Sequence, residues 1–127
     1  MNYLVDTNVF LEILLDQSGR SKCEAFLQRE TGAAWISDFS LHSVGVLLLR
    51  RKRADLFTRF INDMLPELTV LSLDSEAYTK VVEAHSNFTL DFDDSYQFCV
   101  ATENHLQIAT QDKDFDRVTR DIGVKFI

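Results

Sequence analysis

Tyr3-Leu4-Val5-Asp6-Thr7-Asn8-Val9-Phe10-Leu11-Glu12-Ile13-Leu14 is the stretch that decides the fold. Three apolar residues close on an acid, and the period then changes at once. Val9, Phe10, Ile13 and Leu14 recur at helical spacing, with Asp6, Thr7 or Asn8 able to cap the helix. A short strand that runs straight into a helix is the first sign of an α/β chain.

The alternation continues outward. After the Gln17-Ser18-Gly19 loop, Cys23, Phe26 and Leu27 predict a second helix ending near Gly32. Residues 33–36 predict a second strand. Ser37 and Asp38 open a helix with the stripe Leu41, Val44, Gly45, Leu48 and Leu49. A helix over 54–65 stops before Pro66. Residues 68–73 predict a third strand, and Asp74 or Ser75 caps a helix holding Ala77, Tyr78, Val81 and Val82. Phe92, Tyr96, Cys99 and Val100 fall at i, i+4, i+7 and i+8, which predicts a helix over about 91–104. Residues 106–110 read as a strand ending in polar residues. A helical turn at 115–118 and a last strand at 124–127 complete the alternation. The expected fold is α/β with a mostly parallel sheet of four to five strands in one domain, residues 1–127.

Composition sets limits. A chain of 127 residues with 46% hydrophobic and 26% charged residues fits one globular domain and excludes a disordered one. The longest apolar run, 46–49, is far too short to cross a bilayer, so no membrane role is expected. Met1-Asn2-Tyr3 lacks the basic start of a signal peptide. Two cysteines, Cys23 and Cys99, make neither a disulfide framework nor a zinc site; they read as reduced core residues of a cytoplasmic protein. The net charge of −7 argues against a general electrostatic coat for nucleic acid. The charge is uneven, however. Arg50, Arg51, Lys52 and Arg53 cluster, while residues 91–121 hold eight acids and three bases. That asymmetry suits a polyanion held at one place and metal cations at another.

Three acids stand out by position. Asp6 closes the first strand and Asp112 follows the strand at 106–110, and the carboxyl edge of a parallel sheet is where ligands bind. Asp94 sits in the first turn of its helix, about 200° from Tyr96 and so turned away from that residue's buried direction. Asp114 offers a second acid from the Asp112 loop. Each has a structural reading: a cap for Asp6, dipole complement for Asp91, Asp93 and Asp94, turn formation for Asp112 and Asp114. Together the positions favour a metal site. Oxygen ligands select hard ions such as Mg²⁺ or Mn²⁺, and such ions serve phosphodiester hydrolysis.

Val5-Asp6-Thr7-Asn8, Ile36-Ser37 before a helix, Asp93-Asp94 at the head of a later helix, and Thr110-Gln111-Asp112-Lys113-Asp114-Phe115 resemble the PIN-domain family in order and spacing across the whole chain. The resemblance implies a three-layer α/β/α fold and a Mg²⁺- or Mn²⁺-dependent ribonuclease, often the toxin of a toxin–antitoxin pair. It matches Asp6, Asp94 and Asp112 to the metal-binding acids and Asp114 to an accessory acid. Asn8 and Thr110 match supporting polar positions. It also implies RNA as substrate, an antitoxin protein as partner, a homodimer, and products with 5′-phosphate and 3′-hydroxyl ends.

One position departs from the pattern. The family's usual Glu in the helix after the second strand falls at Ser43, and no Glu occurs between Glu30 and Glu67. Asp38 lies five residues earlier, and His42 points about 100° away from Ser43. Asp91 or Asp93 are the remaining candidates to compensate. The rival reading is therefore a catalytically weak PIN-like module that binds RNA or a protein. A phosphoryl-transfer enzyme of the haloacid dehalogenase type would want an acid where Asn8 stands. Elsewhere, the Arg50 to Arg53 cluster is a candidate phosphate grip or a solvated helix end, and Trp35 a candidate base-stacking residue or core. The ten Phe residues mostly supply core, with some for a subunit interface, and His85 and His105 show no ligand spacing.

Overall fold

The computed structural model describes residues 1–127. Five strands, β1 (Tyr3–Val5), β2 (Ala34–Ser37), β3 (Thr69–Leu71), β4 (Gln107–Thr110) and β5 (Val124–Phe126), form one sheet in the order β3-β2-β1-β4-β5. Every neighbouring pair is parallel. Leu4 of the central strand lies beside Trp35 on one side and Ile108 on the other.

Six α-helices cover the sheet: α1 (Thr7–Leu14), α2 (Arg20–Arg29), α3 (Asp38–Arg50), α4 (Ala54–Arg59), α5 (Tyr78–Phe88) and α6 (Phe92–Glu103). Side chains alternate across a strand, so the sheet feeds two cores. Tyr3, Val5 and Ile36 pack with Phe10, Ile13, Phe26, Val44 and Phe60 beneath α1 to α4. Leu4 and Ile108 pack with Val81, Tyr96, Val100 and Phe115 beneath α5 and α6. The three-layer α/β/α arrangement is the expected one. Cys23 and Cys99 are free thiols buried in separate cores. Trp35 is half-buried against the second core rather than presented for stacking. No helix is long and apolar enough to cross a membrane.

Two elements differ from the sequence reading. The helix expected over 54–65 ends as α4 at Arg59, widens into a π-type turn over Phe60–Met64, and tightens into a 3₁₀ turn over Leu65–Glu67 with Pro66 at its start. Proline has no N–H to continue the ladder, so the helix ends in irregular turns. The wide turn sets Phe60 edge-on to Phe10, with centroids 5.5 Å apart.

The second difference is in α6. The apolar spacing places Phe92 in the stripe, yet Phe92 is 52% exposed. The helix instead buries Asp94, Ser95 and Gln97 together with Tyr96, Cys99 and Val100. It is covered on two sides, by β1 and β4 on one and α5 on another. One of its buried faces is polar, and single-stripe periodicity does not describe it.

The chain lays β2 and β3 on one side of β1, then crosses to lay β4 and β5 on the other. The winding direction reverses between β1 and β4. In open parallel sheets, the crevice beyond the strand ends at such a point is the natural ligand site.

Candidate metal centre

Asp6 follows β1 and caps α1, with Oδ1 accepting from the Thr7 N–H at 2.9 Å. Three side chains add further hydrogen bonds. Thr110 Oγ1 donates to Oδ2 at 2.7 Å, Asn8 Nδ2 donates to Oδ2 at 3.3 Å, and Gln97 Nε2 donates to Oδ1 at 3.2 Å. Thr110 ends β4, so its bond ties the two strand ends across the crevice. Asn8 serves the same purpose by accepting from the Gln111 N–H at 3.2 Å. Asn8 and Thr110 therefore hold the crevice together.

Asp112 follows β4 and caps the 3₁₀ turn Lys113–Val118 by accepting from the Asp114 N–H at 2.9 Å. Its own N–H donates to Thr110 Oγ1 at 2.9 Å, which links it through one hydroxyl to Asp6. Asp94 enters from the first turn of α6 and is 8% exposed. Asp94, Asp112 and Asp114 each place a carboxylate oxygen within 4.8 Å of the other two. Asp6 lies outside that trio.

The electrostatics follow from this crowding. The Asp94 carboxyl is pushed up to about 7, first by burial and then by the charges of Asp112, Asp6, Asp114 and Asp93. Burial also pushes Asp6 above the usual carboxylate range, and the charge of Asp112 adds to this. The hydrogen bonds from Thr110, Gln97 and Thr7 oppose both. The trio's ion pair is with Arg117, whose Nη2 lies 3.7 Å from Asp114 Oδ1.

The donor set fits a hard divalent cation. All three ligands are carboxylate oxygens, and on a Mg²⁺ neighbouring oxygens stand about 3 Å apart and opposite ones about 4.2 Å, so the trio would draw together to share one ion. The cluster contains neither Cys nor His, so it is not suited to a metal that prefers those ligands.

Other sequence candidates fall elsewhere. Asp38 accepts from the Tyr96 hydroxyl at 2.7 Å and does not join the trio. Asp91 and Asp93 are exposed. Ser43 is half-buried, one turn beyond Ser40, and His42 is exposed. Arg50, Arg51, Lys52 and Arg53 are exposed, and Arg53 makes a two-pronged contact with Asp55 at 3.0 and 3.1 Å. His85 Nδ1 meets the Leu90 carbonyl at 2.6 Å, a local tie.

Sequence reasoning passed over Ser40 and Gln97, and took Ser37 only as the residue that opens α3; all three are buried in a network that reaches Asp6. One signal was available. Gln97 lies at i+3 from Asp94, so the two share a helix face. A glutamine amid the apolar positions of α6 marks that face as polar.

A sequence profile of the PIN domain matches residues 3–121. Several solved structures share the fold. FitAcB from Neisseria gonorrhoeae superposes with a TM-score of 0.77 at 25% identity, over 97% of this chain and 96% of that one. VapBC2 from Rickettsia felis, bound to a DNA fragment from its promoter, gives 0.81 at 13% identity, over 99% and 98%. VapC20 from Mycobacterium tuberculosis, described as a toxin that cleaves the sarcin–ricin loop, gives 0.76 at 13% identity, over 95% and 96%. No curated protein matches by sequence.

Proposed function

Because the chain belongs to the PIN-domain family, we propose that it is a metal-dependent ribonuclease that hydrolyses single-stranded RNA and acts as the toxin of a toxin–antitoxin pair. The observation that carries this reading is the buried Asp94 held within 4.8 Å of Asp112 and Asp114 at the reversal point of the sheet. Acids so placed repel one another unless a cation joins them.

In this reading Asp94, Asp112 and Asp6 hold one Mg²⁺ or Mn²⁺, and Asp114 serves as ligand or as orienter of water. Such an ion supplies a Lewis acid that activates water and stabilises charge on a phosphodiester. The chain's own groups do the positioning. Thr110 and Asn8 hold the Asp6 carboxylate against the β4 end, on the same sheet edge as the trio. The Asp114 N–H fixes Asp112 from its own loop. Asp114 is the acid of the trio open to solvent, which suits it to orient an incoming water or take its proton. Attack on phosphorus with departure of the 3′-oxygen leaves 5′-phosphate and 3′-hydroxyl ends.

Residues 1–127 act as one domain in this reading, in the cytoplasm. The partner is an antitoxin protein, in keeping with a structural relative from Klebsiella pneumoniae described as a toxin–antitoxin complex, which superposes with a TM-score of 0.73 at 19% identity over 91% of this chain and 90% of that one. A homodimer is part of the same proposal; Val46 and Leu49, 49% and 54% exposed on α3, supply apolar surface for it.

The absence of a Glu at Ser43 favours a second reading, a weakly catalytic module that binds RNA or protein. Labelled single-stranded RNA incubated with the chain separates the two. Cleavage in Mn²⁺ that EDTA abolishes supports the nuclease, and binding without cleavage at millimolar Mn²⁺ supports the module.

A further inference from the structure

Gln97 is 1% exposed, and its carboxamide is committed at both ends. Ser37 Oγ donates to Oε1 at 2.6 Å. Nε2 donates to Asp6 Oδ1 at 3.2 Å and to Ser40 Oγ at 2.8 Å. Ser40 Oγ also accepts from Thr7 Oγ1 at 2.8 Å, and the Ser40 N–H donates to Ser37 Oγ at 3.0 Å. The orientation of the amide follows from chemistry. An ionised carboxylate only accepts, so the NH₂ end must face Asp6, and the carbonyl end then needs the donor that Ser37 provides. The network joins β2, α1, α3 and α6 beneath the acids, and no buried polar side-chain atom in the chain lacks a partner.

We propose that Gln97 is a positioning residue of the metal centre, which fixes the carboxylate of Asp6 so that Asp6 and the acids of α6 and β4 act on one ion. The proposal rests on the reading of the site as a metal centre. Gln97 does not touch the ion. It sits at i+3 from Asp94, so one helix face delivers both an acid and the group that orients a second acid. Ser37 and Ser40 lock the amide, and α3 contributes hydrogen bonds here without contributing an acid. Groups that orient metal ligands from behind change metal affinity by roughly 10–100-fold when removed.

The test is Mn²⁺ titration, followed by the electron paramagnetic resonance of the free ion, on the full chain. Gln97→Met keeps the length and removes the hydrogen bonds; Gln97→Asn keeps the amide and shortens its reach, and stands in if the first variant does not fold. Titration is done well below each melting temperature, so a purely structural role leaves Kd unmoved. The expected result is a Kd weaker by about 10–100-fold in either variant. In an Asp6→Asn background, the Gln97 substitution should produce a much smaller further loss, because its target is gone. A Kd equal to the parent's, or a full additional loss in the Asp6→Asn background, overturns the proposal and leaves the metal centre standing. A parent that takes up no Mn²⁺ overturns both.

Discussion

Asp94 is the residue at which fold and function pull in opposite directions. Its carboxyl is pushed up to about 7 by burial and by four neighbouring acids, while an unfolded Asp titrates near 3.8. The folded chain therefore prefers the protonated form. The stability that this provides is complete below about pH 4 and is lost as pH rises through about 7. Asp94→Asn removes the titration. In EDTA, its advantage over the parent should grow between pH 5 and pH 8 by about 1–3 kcal/mol, a rise of roughly 5–10 °C in relative melting temperature. With excess Mg²⁺ at pH 8 the order should reverse, because only the folded parent gains from the ion. A variant that melts well below the parent in EDTA at both pH values would instead make Asp94 a structural residue. Ser43→Glu tests the same electrostatics from α3. A further acid should tighten Mn²⁺ binding and raise RNA cleavage while lowering stability in EDTA; calorimetric titration and melting check both signs. Asp94, Asp112 and Asp114, which the fold brings together, could be picked out in the sequence because acids that follow strands or open helices are placed by local structure; Asp6 stands at its strand end as expected but outside that trio. Gln97 and Ser40 could not be picked out, and Ser37 showed only as a helix opener, since a buried polar residue becomes informative only when separated segments meet.

At the scale of elements, α3 and α4 cross where α3 has no side chain. A Cβ at Gly45 would meet the Phe57 ring at 3.0, 3.3 and 3.4 Å, and Phe57 is itself stacked on Phe60. Gly45→Leu should cost about 1–3 kcal/mol in urea unfolding through crowding at this crossing. Gly45→Ala should change stability less, because its helix-propensity gain of up to ~1 kcal/mol offsets a smaller clash. Neither should alter Mn²⁺ affinity; a loss of affinity in either would mean that the crossing, rather than the strand ends, positions the acids. The elements that the sequence displayed best were those with one dominant period, such as β1 and α1. The break after Arg59 was hidden, because the apolar spacing runs on through Phe60 and Met64 while the backbone widens ahead of Pro66. In α6, Phe92 fell at the right spacing but lies beyond the reach of the core, on the exposed side of an aromatic group with Phe39 and Tyr96.

At the scale of the whole molecule, the winding reversal beside β1 gathers acids from distant parts of the chain at one sheet edge. The parallel sheet could be anticipated from the alternation of strands and helices, but its strand order could not, because order depends on which faces pair after folding. The same scale governs assembly. If Val46 and Leu49 are covered by a second copy, sedimentation should show a dimer at tens of micromolar, on the order of ordinary dimer affinities, and Val46→Lys with Leu49→Lys should leave a monomer. A parent that sediments only as monomer would remove the homodimer. The joining of the separate acids by one cation can be observed directly by anomalous diffraction from a crystal of the parent soaked in Mn²⁺. A single strong peak bonded to oxygens of Asp94 and Asp112, with Asp6 or Asp114 completing the protein ligands, is the result expected. Diffraction to good resolution with no peak at this edge, or with the ion bound at another place while the trio stays apart, would contradict it.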